Sequence, residues 1–547
     1  MNFELLAELL FPNITNTPDY YEDKYPKRNL NKKDIVVRFA PSPTGFIHMG
    51  SLYVASLNRL LVNQNHGIYY LRIEDTDHKR EVKGGIKLIQ EALDYFSISF
   101  DESPSKGGEY GPYIQSERKV IYQTYIKDLI KKGLAYPCFC TEAELESIRE
   151  SQVSSKSKLG YYGKWAMDRN LTFDEIQQRV NNGKSYVIRL KTPKIINEKI
   201  ECNDMIKGNI YFPTNDIDVV LLKSDGLPTY HFAHVIDDYL MRTTHVIRGD
   251  EWLSSLPIHL QLFSMLGFEL PKYVHISPLT KKEGNSIRKL SKRKDPESAI
   301  SYYQEKGIPI EALKIYFATI TNSNFEQWYS QNQRAPLTDF TFTFNKMPVG
   351  GTLFDINKLK NICRQYFSLE SALDIYLESL DYFKTYDNSF YEILLKNKEY
   401  VISILNIEKD RPRPRKDIAC YKDIKDENWY MFDELFYSNV SYLNLKDETT
   451  YDYNILVSYL SNYFDINDNE VEWYDRTKSL AVHFGYAPDV KSYKENPNNY
   501  KGHIGDICEL IRVAITGEKQ TPSLYEIQQI LGFDRIKARI DNFKNFF

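Results

Sequence analysis

Short unbroken apolar runs alternate with amphipathic stretches over the first quarter of this chain. Ile35, Val36 and Val37 open a run that predicts a buried strand over 35–39. Two prolines and Gly45 then turn the chain. Leu52, Ala55, Leu60 and Leu61 recur at helical spacing and predict a helix from Ser51 to Asn65, closed by Gly67. Residues 68–73 predict a second strand, which ends in the acidic turn Glu74, Asp75, Thr76, Asp77. The pattern is βαβ, and open parallel sheets of this kind bind ligands at the carboxyl ends of their strands.

The texture changes over 131–215, where Cys138, Cys140, a long charged helix and a strand-like stretch at 186–190 predict an inserted α/β module. The βαβ pattern is expected to resume over 217–222 and again over 244–251. Residues 296–349 read as helical and connective, and 350–547 as almost entirely helical. The expected organisation is a polar extension over 1–33, an α/β parallel-sheet domain over 34–130 and 216–295, the insertion, the connective segment and an all-α C-terminal domain.

A chain of 547 residues has room for three or more domains. No apolar run approaches a membrane span, so a soluble protein is expected. Met1–Leu10 carries Glu4 and Glu8 without a basic leader and reads as an amphipathic helix, not a signal peptide. Six scattered cysteines suit a reducing cytoplasm. The net charge of −4 confines any nucleic-acid surface to a local patch, because counterion release depends on where the cations sit.

Two segments bear the chemistry. Arg38 to Gly50 leaves the first strand, passes the prolines and delivers His48 and Gly50 to a helix start, where free backbone N–H groups suit a phosphate. Lys289, Lys292 and Arg293 share a loop between Gly284 and Pro296, where cations can meet a departing pyrophosphate.

In order and spacing, Arg38–Gly50 resembles the HIGH signature of class I aminoacyl-tRNA synthetases, and Lys289–Arg293 their KMSKS loop. The version here, together with Arg72–Asp77, Pro228–Ala233 and Val246–Trp252, resembles bacterial-type glutamyl-tRNA synthetases. The resemblance implies a Rossmann-like catalytic domain, an inserted acceptor-binding module over 131–215, a stem-contact segment over 296–349 and an anticodon-binding domain over 350–547. It implies ATP-dependent activation of glutamate and transfer to tRNA(Glu), with tRNA(Gln) left open as a second acceptor, by a cytoplasmic monomer. By the same resemblance Arg38 and Arg248 grip the substrate carboxylates and Glu74 the α-ammonium. Ala40, Ser42, Tyr230 and His234 line the amino-acid pocket. His48, Gly50 and Ser51 meet the phosphates, with Ser51 replacing a signature histidine and expected to act as a hydroxyl N-cap. Asp250, Glu251 and Trp252 meet the ribose and adenine, and Lys289, Lys292 and Arg293 the leaving pyrophosphate.

Mg²⁺ is expected to arrive with ATP. Some relatives hold zinc at the position of Cys138 and Cys140. Here Trp165 and Met167 stand where further ligands are required, so no zinc is expected. The competing readings are an inactive paralogue that only binds tRNA, and a short paralogue that modifies a tRNA base. The roughly 200 residues after Gly350, enough for a further domain, argue against the second.

Overall fold

The computed structural model describes residues 1–45, 47–193, 199–291, 293–442 and 452–545. The chain divides into two compact units, Met1–Tyr302 with Lys314–Asp355, and Tyr303–Leu313 with Ile356–Phe547.

The first unit opens with helices α1 (Phe3–Leu10) and α2 (Pro18–Lys24), followed by the step β1 (Val36–Phe39), α3 (Met49–Gln64) and β2 (Ile68–Leu71). Helices α4 (Gly85–Tyr95) and α5 (Lys119–Lys131) come next. The inserted stretch holds β3 (Ala135–Cys138), α6 (Glu142–Ser154), α7 (Phe173–Asn181), β4 (Val187–Leu190), β5 (Lys199–Asp204), β6 (Gly208–Pro213) and β7 (Val220–Leu222). The chain returns through α8 (Tyr230–Leu240), β8 (His245–Gly249), α9 (Leu256–Leu266), β9 (Lys272–Ile276) and the hairpin β10 (Leu279–Glu283) with β11 (Ser286–Lys289).

The expected βαβ step is present. β1 and β2 pair in parallel with Val36 opposite Ile68, and β8 pairs in parallel with β9. The Thr244 N–H donates to the Val36 carbonyl at 3.0 Å, which brings β8 beside β1. All four β1 residues are buried, Arg38 among them, as expected of a strand covered on both faces.

Three features differ from the sequence expectation. First, the amphipathic helix expected over Met1–Leu10 is present as α1, but the polar extension over 1–33 is built into the core. Leu6, Ala7, Leu10, Phe11, Tyr21 and Tyr25 are buried in the same core as Tyr122, Ile126 and Leu129 of α5. The apolar face of the first helix is expected from its spacing; its partner α5 is distant in sequence, which periodicity does not reveal. Second, the run at 217–222 does not resume the parallel sheet: β7 pairs antiparallel with β4 in a β3-β4-β7 sheet. The buried Asp218 carboxylate ties it there, accepting hydrogen bonds from Tyr136 and Arg169 at 2.6 Å and 2.5 Å. Third, β5 and β6 extend the main sheet. β5 runs parallel to β9 with Asp204 opposite Tyr273, which sets Asp204 under the strand that ends at the cavity described below.

The second unit is helical, from Ile356–Leu369 through Ile504–Thr516 to Leu524–Lys544, the last broken at Gly532, whose φ of 76° only glycine adopts readily. Arg539 is fully buried and donates to the carbonyls of Tyr430 and Ile515 and to Asp433. In the basic run 411–416, Arg411 pairs with Glu526 at 2.7 Å and Arg415 with Asp417 at 2.6 Å. Both cations therefore tie the unit together internally.

Candidate active site

A cavity of about 450 Å³ opens at the carboxyl ends of β1, β8 and β9 and at the start of α3. Arg38 from β1 and Arg248 from β8 both reach it, each about 95 % buried. Ala40 and Glu74 line it from the turns after β1 and β2, and Tyr230 lines it from the first turn of α8.

The two guanidiniums are held differently. Arg38 donates through Nε to Asp238 at 3.1 Å and through Nη1 to the Ile247 carbonyl at 3.4 Å. Asp238 also takes Arg72 at 2.6 Å, and Arg72 reaches Glu74 at 3.1 Å. Burial opposes ionisation of Asp238, but Arg38 and Arg72 outweigh it and hold its pKa well below the carboxylate range. Arg248 touches no carboxylate among the described residues. Its Nε donates to His275, and its Nη atoms lie 3.3 Å from the Tyr230 hydroxyl and 3.3–3.4 Å from His259 Nδ1. A buried cation without an anion is costly, so this site favours an anionic ligand.

Glu74 is mostly buried, and that burial pushes its pKa up against the pull of Arg72 and Arg38. The Tyr230 ring packs on Trp252 with centroids 4.3 Å apart, which makes an aromatic wall.

His48 corrects the sequence reading of the phosphate end. It is the N-cap of α3: its Nδ1 accepts the Ser51 N–H at 3.1 Å, while Ser51 is the third helical residue with its hydroxyl 3.3 Å from His48 Nε2. A Cβ on Gly50 would lie 3.0 Å from the His48 ring, so glycine leaves room for this cap. His48, Gly50 and Ser51 all line the cavity, and the positive end of the α3 dipole faces it. Opposite stand Glu251, Trp252 and Lys289, with Lys289 Nζ 3.4 Å from Glu251 on the exposed rim.

Four predicted residues lie elsewhere. Ser42 is exposed and does not line the cavity. His234 is fully buried behind Tyr230, hydrogen-bonded to Tyr273 at 3.2 Å, and burial lowers its pKa to about 3. Asp250 turns to Lys207 at 3.3 Å, and Arg293 is exposed outside the lining. Lys292 lies outside the described residues. Reading the sequence alone missed Arg72, Asp238, His259 and His275. The signal for Asp238 was an acidic pair, Asp237 and Asp238, inside an otherwise apolar helix.

In the insertion, Cys138, Cys140 and Asp168 bring one ligand atom each within 4.8 Å of one another. Asp168 was not foreseen. Its carboxylate already accepts Arg179 and the Phe139 N–H, both at 2.7 Å, and the Tyr161 hydroxyl sits 3.2 Å from Cys140 Sγ.

Residues 34–359 match the catalytic domain of class I tRNA synthetases (E and Q), and 496–544 match an anticodon binding domain. The chain is 45 % identical over 553 residues to a glutamate–tRNA ligase of Clostridium beijerinckii, covering 100 % of both chains. It is 46 % identical over 544 residues to one of Acetivibrio thermocellus, covering 99 % of each. A solved glutamate tRNA ligase from Elizabethkingia meningosepticum, in complex with its amino acid, superposes with a TM-score of 0.75 at 29 % identity, over 94 % of this chain and 99 % of that one.

Proposed function

The chain belongs to the class I tRNA synthetases for glutamate and glutamine, and we propose that the cavity between Arg38, Arg248 and the start of α3 is where it activates glutamate. Its activity is that of a glutamate–tRNA ligase, with glutamate and tRNA as substrates. ATP is the expected third substrate.

In the first step the α-carboxylate of glutamate attacks the α-phosphorus of ATP, forming glutamyl-adenylate and releasing pyrophosphate. A carboxylate is already a nucleophile at neutral pH, so no general base is required. The work is positioning and charge stabilisation. Arg248, a buried cation with no anion among the described residues, takes the side-chain carboxylate. Arg38, already neutralised by Asp238, holds the other end of the substrate beside Glu74, which receives the α-ammonium. A guanidinium matches a carboxylate with two parallel hydrogen bonds and finds an amide a poor partner, which separates glutamate from glutamine.

ATP lies against His48, Gly50 and Ser51, with its base and ribose towards Glu251 and Trp252. Lys289 on the rim faces the outgoing phosphates, and Mg²⁺ travels with the nucleotide, held chiefly by phosphate oxygens and water. In the second step a hydroxyl of the terminal adenosine of tRNA attacks the carbonyl of the mixed anhydride, forming the glutamyl ester and releasing AMP.

The donors around Cys138 do not make a closed zinc site. Two thiols and one carboxylate fall short of the four ligands that structural zinc takes, and that carboxylate is committed to Arg179. The reading therefore includes no zinc. Free cysteines throughout suit a reducing cytoplasm. No helix among the described residues is long and apolar enough to cross a membrane.

The observation that carries this reading is the unneutralised Arg248 at the floor of a cavity whose other end is a helix N-terminus. Charging purified tRNA(Glu) and tRNA(Gln) with labelled glutamate tests it. Glutamyl-tRNA(Glu) forms if the reading holds, and absence of charging in the presence of ATP contradicts it.

A further inference from the structure

Arg248 is held from behind by an imidazole that is itself held by a carboxylate. Arg248 Nε donates to His275 Nε2 at 3.0 Å, and His275 Nδ1 lies 2.8 Å from Asp204. His275 and Asp204 side chains are fully buried. The same Asp204 oxygen accepts the His275 backbone N–H at 3.0 Å, and the other accepts the N–H groups of Ile206 and Lys207 at 3.0 and 2.9 Å. Every partner of this carboxylate is a donor, so it has one orientation.

Because Nε2 accepts from an arginine, which can only donate, the imidazole proton must sit on Nδ1, facing Asp204. Burial lowers the His275 pKa and keeps the ring neutral. Asp204, in spite of its own burial, is held below the carboxylate range by the hydrogen bonds from His275 and the turn. The chain of hydrogen bonds thus has a single sense, from arginine through neutral imidazole to carboxylate.

We propose that Asp204 and His275 are positioning residues for glutamate selection: they fix the plane of the Arg248 guanidinium through Nε while leaving its charge unneutralised for the ligand. The proposal rests on the reading of Arg248 as the side-chain carboxylate receptor and adds the device that makes it selective. A carboxylate placed directly on Arg248, as Asp238 is on Arg38, would compete with the substrate for the cation. An imidazole interposed between them orients the guanidinium through Nε without supplying that anion, and among the described residues the Nη atoms meet only the Tyr230 hydroxyl and His259, neither of them a carboxylate. Asp204 comes from β5, so the insertion contributes to amino-acid recognition through the strand it adds beside β9.

The chemistry predicts an unusual sensitivity to Asp204→Asn. An amide at this position cannot accept from all four donors. If its nitrogen faces His275, the ring must shift its proton to Nε2, which then meets the Arg248 N–H as donor against donor. The guanidinium is pushed out of plane, although the side chain has the same size.

Steady-state charging by the full chain, with glutamate and ATP each varied at saturating levels of the other, tests this. Loss of a hydrogen bond to a charged group corresponds to about 10- to 100-fold, so Asp204→Asn and His275→Leu should raise the KM for glutamate by that factor. The KM for ATP and kcat should stay within about threefold, as expected when binding of one substrate alone is weakened. His275→Gln, whose amide oxygen can accept from Nε, should recover most of the loss. An unchanged glutamate KM in Asp204→Asn, or equal losses for both substrates, overturns the proposal. Should His275→Leu not fold, the isosteric Asp204→Asn still decides it. Wild-type charging with glutamate, measured alongside, reports separately on the reading of the site itself.

Discussion

Arg38 and Asp238 meet at 3.1 Å with neither side chain appreciably exposed, and the same carboxylate holds Arg72 at 2.6 Å. One anion on α8 therefore clamps a cation from β1 and another from the residue just after β2, and sets the floor of the cavity.

Removing that anion leaves the buried Arg38 without a carboxylate and takes from Arg72 its shortest ion pair, leaving it Glu74 at 3.1 Å and Asp237 at 3.8 Å. Asp238→Ala should cost about 3–5 kcal/mol of stability, as read from denaturant unfolding of the full chain. The pH dependence has a defined sign. The folded pKa lies well below the ordinary carboxylate value, so the contribution is complete above that value and is lost only in stronger acid. Wild type and Asp238→Ala should accordingly converge in stability only well below pH 4.

Glu74 is perturbed in the opposite direction, its pKa raised by burial. It must be ionised to receive an ammonium group, so the KM for glutamate should rise as the pH is lowered towards that raised pKa. Above about pH 5, where free glutamate keeps its side chain ionised, Glu74→Gln should show a high KM that is nearly flat with pH. A wild-type KM with the same pH dependence as that of Glu74→Gln would contradict the assignment.

Gly50→Ala separates stability from activity. The new Cβ, 3.0 Å from the His48 ring, should displace that cap. Losing an N-cap costs about 1 kcal/mol, and replacing glycine by alanine within a helix returns about the same. The melting temperature should therefore hardly move, while pyrophosphate exchange at saturating glutamate falls, by about tenfold for a hydrogen bond lost at the reacting phosphate. A variant with unchanged exchange would remove His48 from the chemistry.

Elemental analysis of the purified chain should find less than stoichiometric zinc, and a chelator should leave both melting temperature and charging unchanged. One zinc per chain, lost together with stability on chelation, would contradict the reading of Cys138, Cys140 and Asp168.

Much of this was legible in the sequence because the chemistry there is local. The β1–α3–β2 step and the placing of His48 and Gly50 at a helix start follow from an apolar run, a turn and a 3.6-residue period. Arg38, Glu74, Tyr230 and Arg248 stand at strand or helix ends, where an open sheet binds its ligands. What was not legible depends on partners distant in sequence. Asp204 and His275 are 71 residues apart and meet only because β5 joins the sheet beside β9. The 217–222 run looked like another parallel strand because periodicity says nothing about pairing, and Asp218 commits it to the insertion instead. His234 shares its helix face with Tyr230, but four residues further along α8 that face has left the cavity and entered the core.

The central claim is that Arg248 recognises the acidic side chain of the substrate. Its most direct test is pyrophosphate exchange by Arg248→Gln in the presence of tRNA, with glutamate and ATP varied in turn. The KM for glutamate should rise by at least about 100-fold, the loss expected on removing a charged partner from a carboxylate, with the KM for ATP unchanged. An equal loss for both substrates, or glutamate use that survives the substitution, would contradict the account.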